Sequence, residues 1–159
     1  MAFPVDSRPS AGVSGESHAT KLNDVGSVRA FSDGNSYIYL KGVTSCADGS
    51  VVVFQPGVWT AALVATTLKG CIAIASAAVD GSSWGWFVYI GQDVGIARSA
   101  IASNVPLYAG GVAGSLDDVA VKGDQIINCW SRNAAAGSGD SVILQVDRAF
   151  IGVSNESVG

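Results

Sequence analysis

Residues 83–102 read SWGWFVYIGQDVGIARSAIA, and the alternation within this stretch decides the fold. Trp84, Trp86, Val88 and Ile90 fall on one side of a two-residue period, while Gly85, Phe87 and Tyr89 fall on the other. A half-buried strand alternates apolar with polar side chains, so two apolar sets predict a strand covered on both faces, as inside a sandwich or barrel. Trp86, mid-strand with apolar neighbours two residues away on each side, is expected to anchor the core. Gly91, Gln92 and Asp93 interrupt the run before Val94, Ile96 and Arg98 resume it. That interruption predicts a hairpin or tight bend between two neighbouring strands.

Working outward, the same texture continues in both directions. Before this stretch, Tyr37, Tyr39, Lys41 and Val43 alternate with Ile38, Leu40 and Gly42 behind the turn-like Ser32-Asp33-Gly34-Asn35. Residues 51–54 (VVVF) follow a second Asp-Gly turn, and residues 59–68 and 71–78 predict two further strands separated by Lys69-Gly70. After it come residues 104–108, a glycine-rich loop over residues 109–116, residues 119–121, and residues 125–131. Val142, Leu144 and Val146 form the inner face of a strand, and residues 150–153 close the domain. About nine or ten short strands at roughly 8–12-residue spacing, with no helical period, indicate an all-β sandwich or barrel.

Residues 58–79 have the length of a membrane span, but Lys69 sits at their centre, where insertion costs about 2.5–3.5 kcal/mol. Two strands fit this segment better, and no membrane partner is expected.

Of the 159 residues, 48% are hydrophobic and 14% charged, against about 25% charged in an ordinary domain. So few charges imply that considerable surface is hidden against other chains. A net charge of −4 with nine scattered basic residues argues against nucleic acid, whose binding rests on clustered Lys and Arg. Cys46, Cys71 and Cys129 are isolated and there is one histidine, so the cysteines read as buried reduced thiols. Neither a disulfide framework nor a metal site is suggested. The first residues, MAFPVDSRPSAG, lack the basic start and apolar core of a signal peptide, which implies synthesis in a reducing cytoplasm.

Residues 1 to about 30 are poor in large apolar side chains and contain Pro4 and Pro9. They predict an extended N-terminal arm, with His18 solvated within it, ahead of a β domain over residues 31–159. Phe3, Pro4 and Val5 are the arm's clustered apolar residues and its candidates for docking on a partner. The glycine-rich loop supplies a second set of candidates, Gly110, Gly111 and Leu116. No nucleophile–base pair or phosphate loop is present. The aspartates mostly adjoin glycine in turns, where Asp serves by mimicking backbone hydrogen bonds. No catalytic residue and no cofactor are assigned, and a carbohydrate-binding sandwich using Trp59 or Trp130 stands as an alternative.

Five segments carry a resemblance to a known group: GCIAIASAAV from Gly70, GWFVYIGQ from Gly85, PLYAGGVAGSLDD from Pro106, KGDQIINCWS from Lys122 and GDSVILQVD from Gly139. Together they resemble the capsid decoration, or cement, proteins of tailed bacteriophages. The resemblance implies a compact β-barrel or β-tulip domain, commonly a homotrimer, that sits on the capsid surface of the virion and bridges subunits of the major capsid protein. A tail-tube or fibre subunit is the alternative within virion assembly.

Overall fold

A computed structural model describes residues 12–152, and the structure is all-β. Eleven strands follow one another among these residues: β1 (Ser17–His18), β2 (Val28–Ala30), β3 (Ser36–Lys41), β4 (Val51–Phe54), β5 (Ala62–Leu63), β6 (Gly70–Ala75), β7 (Trp84–Ile96), β8 (Pro106–Ala109), β9 (Leu116–Asp117), β10 (Gln125–Ser131) and β11 (Ser141–Ile151). They form one antiparallel sheet in the order β2-β3-β7-β6-β11-β10-β8-β9, with β1 added to β7, and β4 and β5 added beside β6. The sheet curls on itself. Arg98 N donates to Leu116 O at 2.7 Å beyond the end of β7, and Val51 N donates to Gly114 O at 2.9 Å.

Strand β7 organises this arrangement. Its first half lies between β3 and β6, with Tyr39 opposite Trp86 and Ile74 opposite Val88. Its second half pairs with β11 from Ser141–Ile96 to Asp147–Ile90. The expected hairpin at residues 91–93 is therefore replaced by one continuous strand of 13 residues. Gly91 (φ 124°) adopts a conformation closed to most L-residues, and Asn35 lies across it. The Asn35 amide donates to Gln92 O and accepts from Gln92 N, each at 3.0 Å, so a side chain stands in for a ladder partner. The bend expected from the Gly-Gln-Asp run becomes a bulge, with the β3 register shifting between Ser36 and Tyr37.

The first half of β7 is buried on both faces, as its two apolar sets predict. Inside the curl, Trp86 and Val88 pack with Tyr37, Tyr39, Ile72 and Ile74, and with Val142, Leu144 and Val146 of β11. On the outer face, Phe87 joins Ile38, Leu40, Val52, Phe54, Ala73 and Ala75 in a second cluster. Loops roof this second cluster through Val43, Cys46, Trp59, Ala61 and Val79. Gly42 lets one of them close, since a Cβ there would stand 2.1 Å from Val79 O.

Two other expectations change. Residues 59–68 form a strand only at Ala62–Leu63, because Trp59 (φ 58°) breaks the extended backbone and folds its ring towards Phe54, 6.0 Å away. The extended arm is not what residues 12–30 form. Strand β1 pairs with Trp84 and Gly85 of β7, β2 pairs with β3, and Val25 packs on the inner core. Small side chains suffice there because the backbone is paid for by ladder hydrogen bonds. His18 is buried rather than solvated, at 8% exposure.

Candidate functional site

The roof over the outer face covers only half of the sheet. Where β7 runs on beside β11, its outward Gln92 and Val94 are exposed, and the Gly49 turn reaches only the Ile96 side chain at the strand's end. Alternation along β11 buries Val142, Leu144 and Val146 and turns Ile143 and Gln145 outward. Residues directly opposite in an antiparallel ladder share a face, which sets out the surface row by row. Ile143 stands opposite Val94; Gln145 stands between Gln92 and Trp130; Trp130 stands opposite Pro106; Phe150 stands opposite Ile127. Ile127, Trp130, Ile143, Phe150 and Val94 are each 38–43% exposed. Five large apolar side chains on one sheet face make a patch of the kind that marks an interaction surface.

Two left-handed residues shape this patch. Asn128 (φ 61°) and Arg148 (φ 46°) lie between the Ile127–Phe150 and Cys129–Val146 pairs, and each inserts a residue that resets the alternation of its strand. Both Ile127 and Trp130 thereby point outward although they are three residues apart. Strict alternation puts them on opposite faces, so the sequence pattern alone does not bring them together. Gln92 Nε2 donates to Gln145 Oε1 at 2.8 Å across the middle of the face.

The residues singled out from the sequence lie elsewhere. Phe3, Pro4 and Val5 fall outside the described residues. Leu116 is fully buried in the inner core, so its side chain is not a docking contact. Gly110 is buried, and its N–H donates to Ser115 O at 3.1 Å. Gly111 is exposed beside the guanidinium of Arg98, which pairs with Asp117 at 3.2 Å. The loop is tied down, and only its tip, with Val112 exposed, remains accessible. Trp59, the other tryptophan weighed for sugar stacking, is part of the roof.

A second feature is an open polar cleft of about 410 Å³, lined by Ser14, Ser32, Asp33, Tyr37, Ser76 and Asp93 among others. Its polar atoms already satisfy one another. Tyr37 Oη donates to Asp33 Oδ2 at 2.6 Å, Ser76 Oγ to Asp93 Oδ2 at 2.5 Å, and Val94 N to Asp93 Oδ1 at 2.8 Å. Burial, reinforced by the Asp33 carboxylate, pushes the Tyr37 hydroxyl up to about 12. Burial also raises Asp93, with Asp48 and Asp33 adding repulsion against the hydrogen bonds that oppose it. The cleft thus offers acceptors and hydroxyls, with no histidine, cysteine or lysine among its lining residues. Among the described residues no group of three or more His, Cys, Asp or Glu side chains could hold a metal ion. Cys46 and Cys129 are buried, and burial pushes the Cys129 thiol up to about 12.

The shift at Asp93 carries a stability consequence. A carboxyl whose folded pKa lies above its unfolded value binds more protons when folded, so its charge opposes folding at neutral pH and the penalty fades as pH falls. Asp93→Asn keeps an acceptor for Val94 N and a donor for Ser76 without the charge. The variant is expected to melt higher than the parent at pH 7.5, with the gap narrowing towards pH 5. A variant that melts lower at pH 7.5 would show that the carboxylate stabilises the fold.

Comparison with known proteins adds no relative: no protein-family model matches the chain, and no curated protein sequence does.

Proposed function

We propose that this chain is a non-enzymatic structural protein of a virion, which decorates a phage capsid by seating the open face of β7, β11, β10 and β8 on the major capsid protein. The observation that carries this reading is the half-finished outer face. One half of the sheet is roofed by the chain's own loops, whereas the other half presents Ile127, Trp130, Ile143, Phe150 and Val94 to solvent. Stable interfaces combine an apolar, aromatic centre with a polar rim, and here Asp147, Arg148 and Arg132 border the apolar rows. The scarcity of charge along the chain and the resemblance of residues 70–152 to decoration proteins support the same reading.

The test is attachment to shells stripped of decoration. Trp130→Glu combined with Ile143→Glu places two carboxylates in the apolar rows, and affinity is expected to fall at least about thirtyfold, since losing one central aromatic anchor costs about 2 kcal/mol or more. Both positions are exposed, so melting should barely move. Binding at full strength by a folded double variant would remove this face from the reading. Imaging the particle then distinguishes a shell site from a tail or fibre site.

One observation favours a second reading, carbohydrate binding. Trp130 lies in a row with Gln145 and Gln92, an aromatic plane beside two amides. A glycan screen in which a hit disappears with Trp130→Ala would support it.

A further inference from the structure

Residues 12–24 lie across the start of β7 as a strap, held by a two-residue strand, by the Tyr39 hydroxyl and by a hydrogen bond between Ser14 and the Tyr37 hydroxyl. Ser17 and His18 pair with Gly85 and Trp84. Behind them, Tyr39 Oη contacts His18 Nδ1 at 3.1 Å and accepts from Leu22 N at 3.1 Å. It also accepts from the side chain of Asn23. With both lone pairs engaged, the Tyr39 hydroxyl has its proton left for one partner, His18 Nδ1. That nitrogen must therefore be unprotonated, which puts the imidazole proton on Nε2. Nε2 is buried without a hydrogen-bond partner, and Gly12 packs so closely that a Cβ there would lie 2.5 Å from it.

This geometry accommodates only a neutral imidazole. Protonating Nδ1 sets two donors face to face, because the Tyr39 oxygen has no free lone pair, and it leaves a cation in a site with one ring nitrogen unpartnered. We infer that the strap of residues 12–24 is an acid-sensitive latch, with His18 as its trigger, which detaches from β7 when the imidazole takes up a proton. This inference is independent of the proposed function.

The charged and titratable groups around the latch give the sign. Burial lowers the pKa of His18 below its ordinary value of 6.5, and Glu16, just ahead of β1, opposes that shift. From β3 the facing group is Tyr39, and β7 contributes Trp84 and Gly85, neither of them ionisable. Lys21 and Asp24 in the following turn pair with each other at 3.7 Å. A histidine whose packed pKa is lowered binds fewer protons packed than released, so the strap is held fully above pH 6.5 and loses hold as pH falls from there towards the packed pKa. Asp93, beside Ser14 in the polar cleft, has the opposite sign and favours packing at acid pH. Detachment frees the edge of β7 at Trp84–Gly85, and an open strand edge accepts another segment.

Hydrogen–deuterium exchange of the full chain, corrected for intrinsic rates, tests the latch. Between pH 7.5 and 5.0, protection of residues 12–24 is expected to fall at least about fivefold, within the limit of about tenfold per pH unit for one proton. Protection of β10 and β11 should hold. In His18→Gln the loss on acidification should vanish, or reverse through Asp93. Protection in the parent that is equal at both pH values, or a parent-like loss in His18→Gln, would overturn the inference. A second measurement needs no variant. NMR titration of the chain's one histidine should give a midpoint below 6.5, and a midpoint at or above 6.5 would also overturn it.

Discussion

Replacing Trp86 by alanine is expected to cost about 3–5 kcal/mol of stability, the range for emptying a buried aromatic site. The indole is 1% exposed in the first half of β7. Phe31 meets it edge-on at 5.1 Å and 68°, and Tyr39 at 5.0 Å and 60°. Such pairs add about 0.5–1.5 kcal/mol beyond the area they bury, and truncation removes both at once. Because Phe31, Tyr39 and Trp86 come from three separate stretches of the chain, they cannot collapse together into the space without moving the ladder. Urea unfolding reads the effect directly. A loss within about 0.5 kcal/mol, the range of surface substitutions, would mean that this site is not packed as described.

Gly91→Ala should be the most damaging single-methyl addition to β7, at about 2–4 kcal/mol. Two terms combine: an L-residue held at φ 124° stores about 1–3 kcal/mol of strain, and the new Cβ would stand 1.9 Å from Asn35 Oδ1. The Asn35 amide must then leave Gln92, forfeiting two hydrogen bonds of about 1 kcal/mol each at most. Asn35→Ala alone loses the bonds without the strain. In an Asn35→Ala background Gly91→Ala should cost less than in the parent, and the difference measures the collision. Equal costs in the two backgrounds would show that backbone strain alone makes glycine necessary.

The parts of this fold that were legible in the sequence are those set by local alternation. Trp86 and Phe87 are both buried because the two-residue period of an apolar run puts neighbours into different clusters, and Val142, Leu144 and Val146 face inward for the same reason. The continuity of β7 was not legible, because the group that completes its ladder at Gln92 is Asn35, 57 residues away. Likewise His18 looked solvated among small residues, yet its burial depends on Tyr39 and Trp84, which its own segment does not contain. Most of the candidate site was hidden as well. Ile127 and Trp130 share a face only because Asn128 resets the alternation, a bulge that depends on Arg148 across the ladder. Of the docking candidates drawn from the sequence, Leu116 was apolar because it is core, and apolarity alone does not distinguish a core residue from an interface residue.

The position of β11 bears on how the protein is made. This strand is the last of the eleven, yet it lies between β6 and β10, pairs with the second half of β7, and supplies Val142, Leu144, Val146, Ala149 and Ile151 to the inner core. On the ribosome, β1 to β7 emerge first, and they hold only one side of that core. Until residue 151 has cleared the exit tunnel, Trp86 and its neighbours face a gap where β11 belongs. Nascent chains stalled before that point should remain protease-sensitive and dependent on chaperones, and folding should arrive as one late step once β11 is released. Because its partners lie many residues back along the chain, that step belongs to the slow class set by non-local pairing.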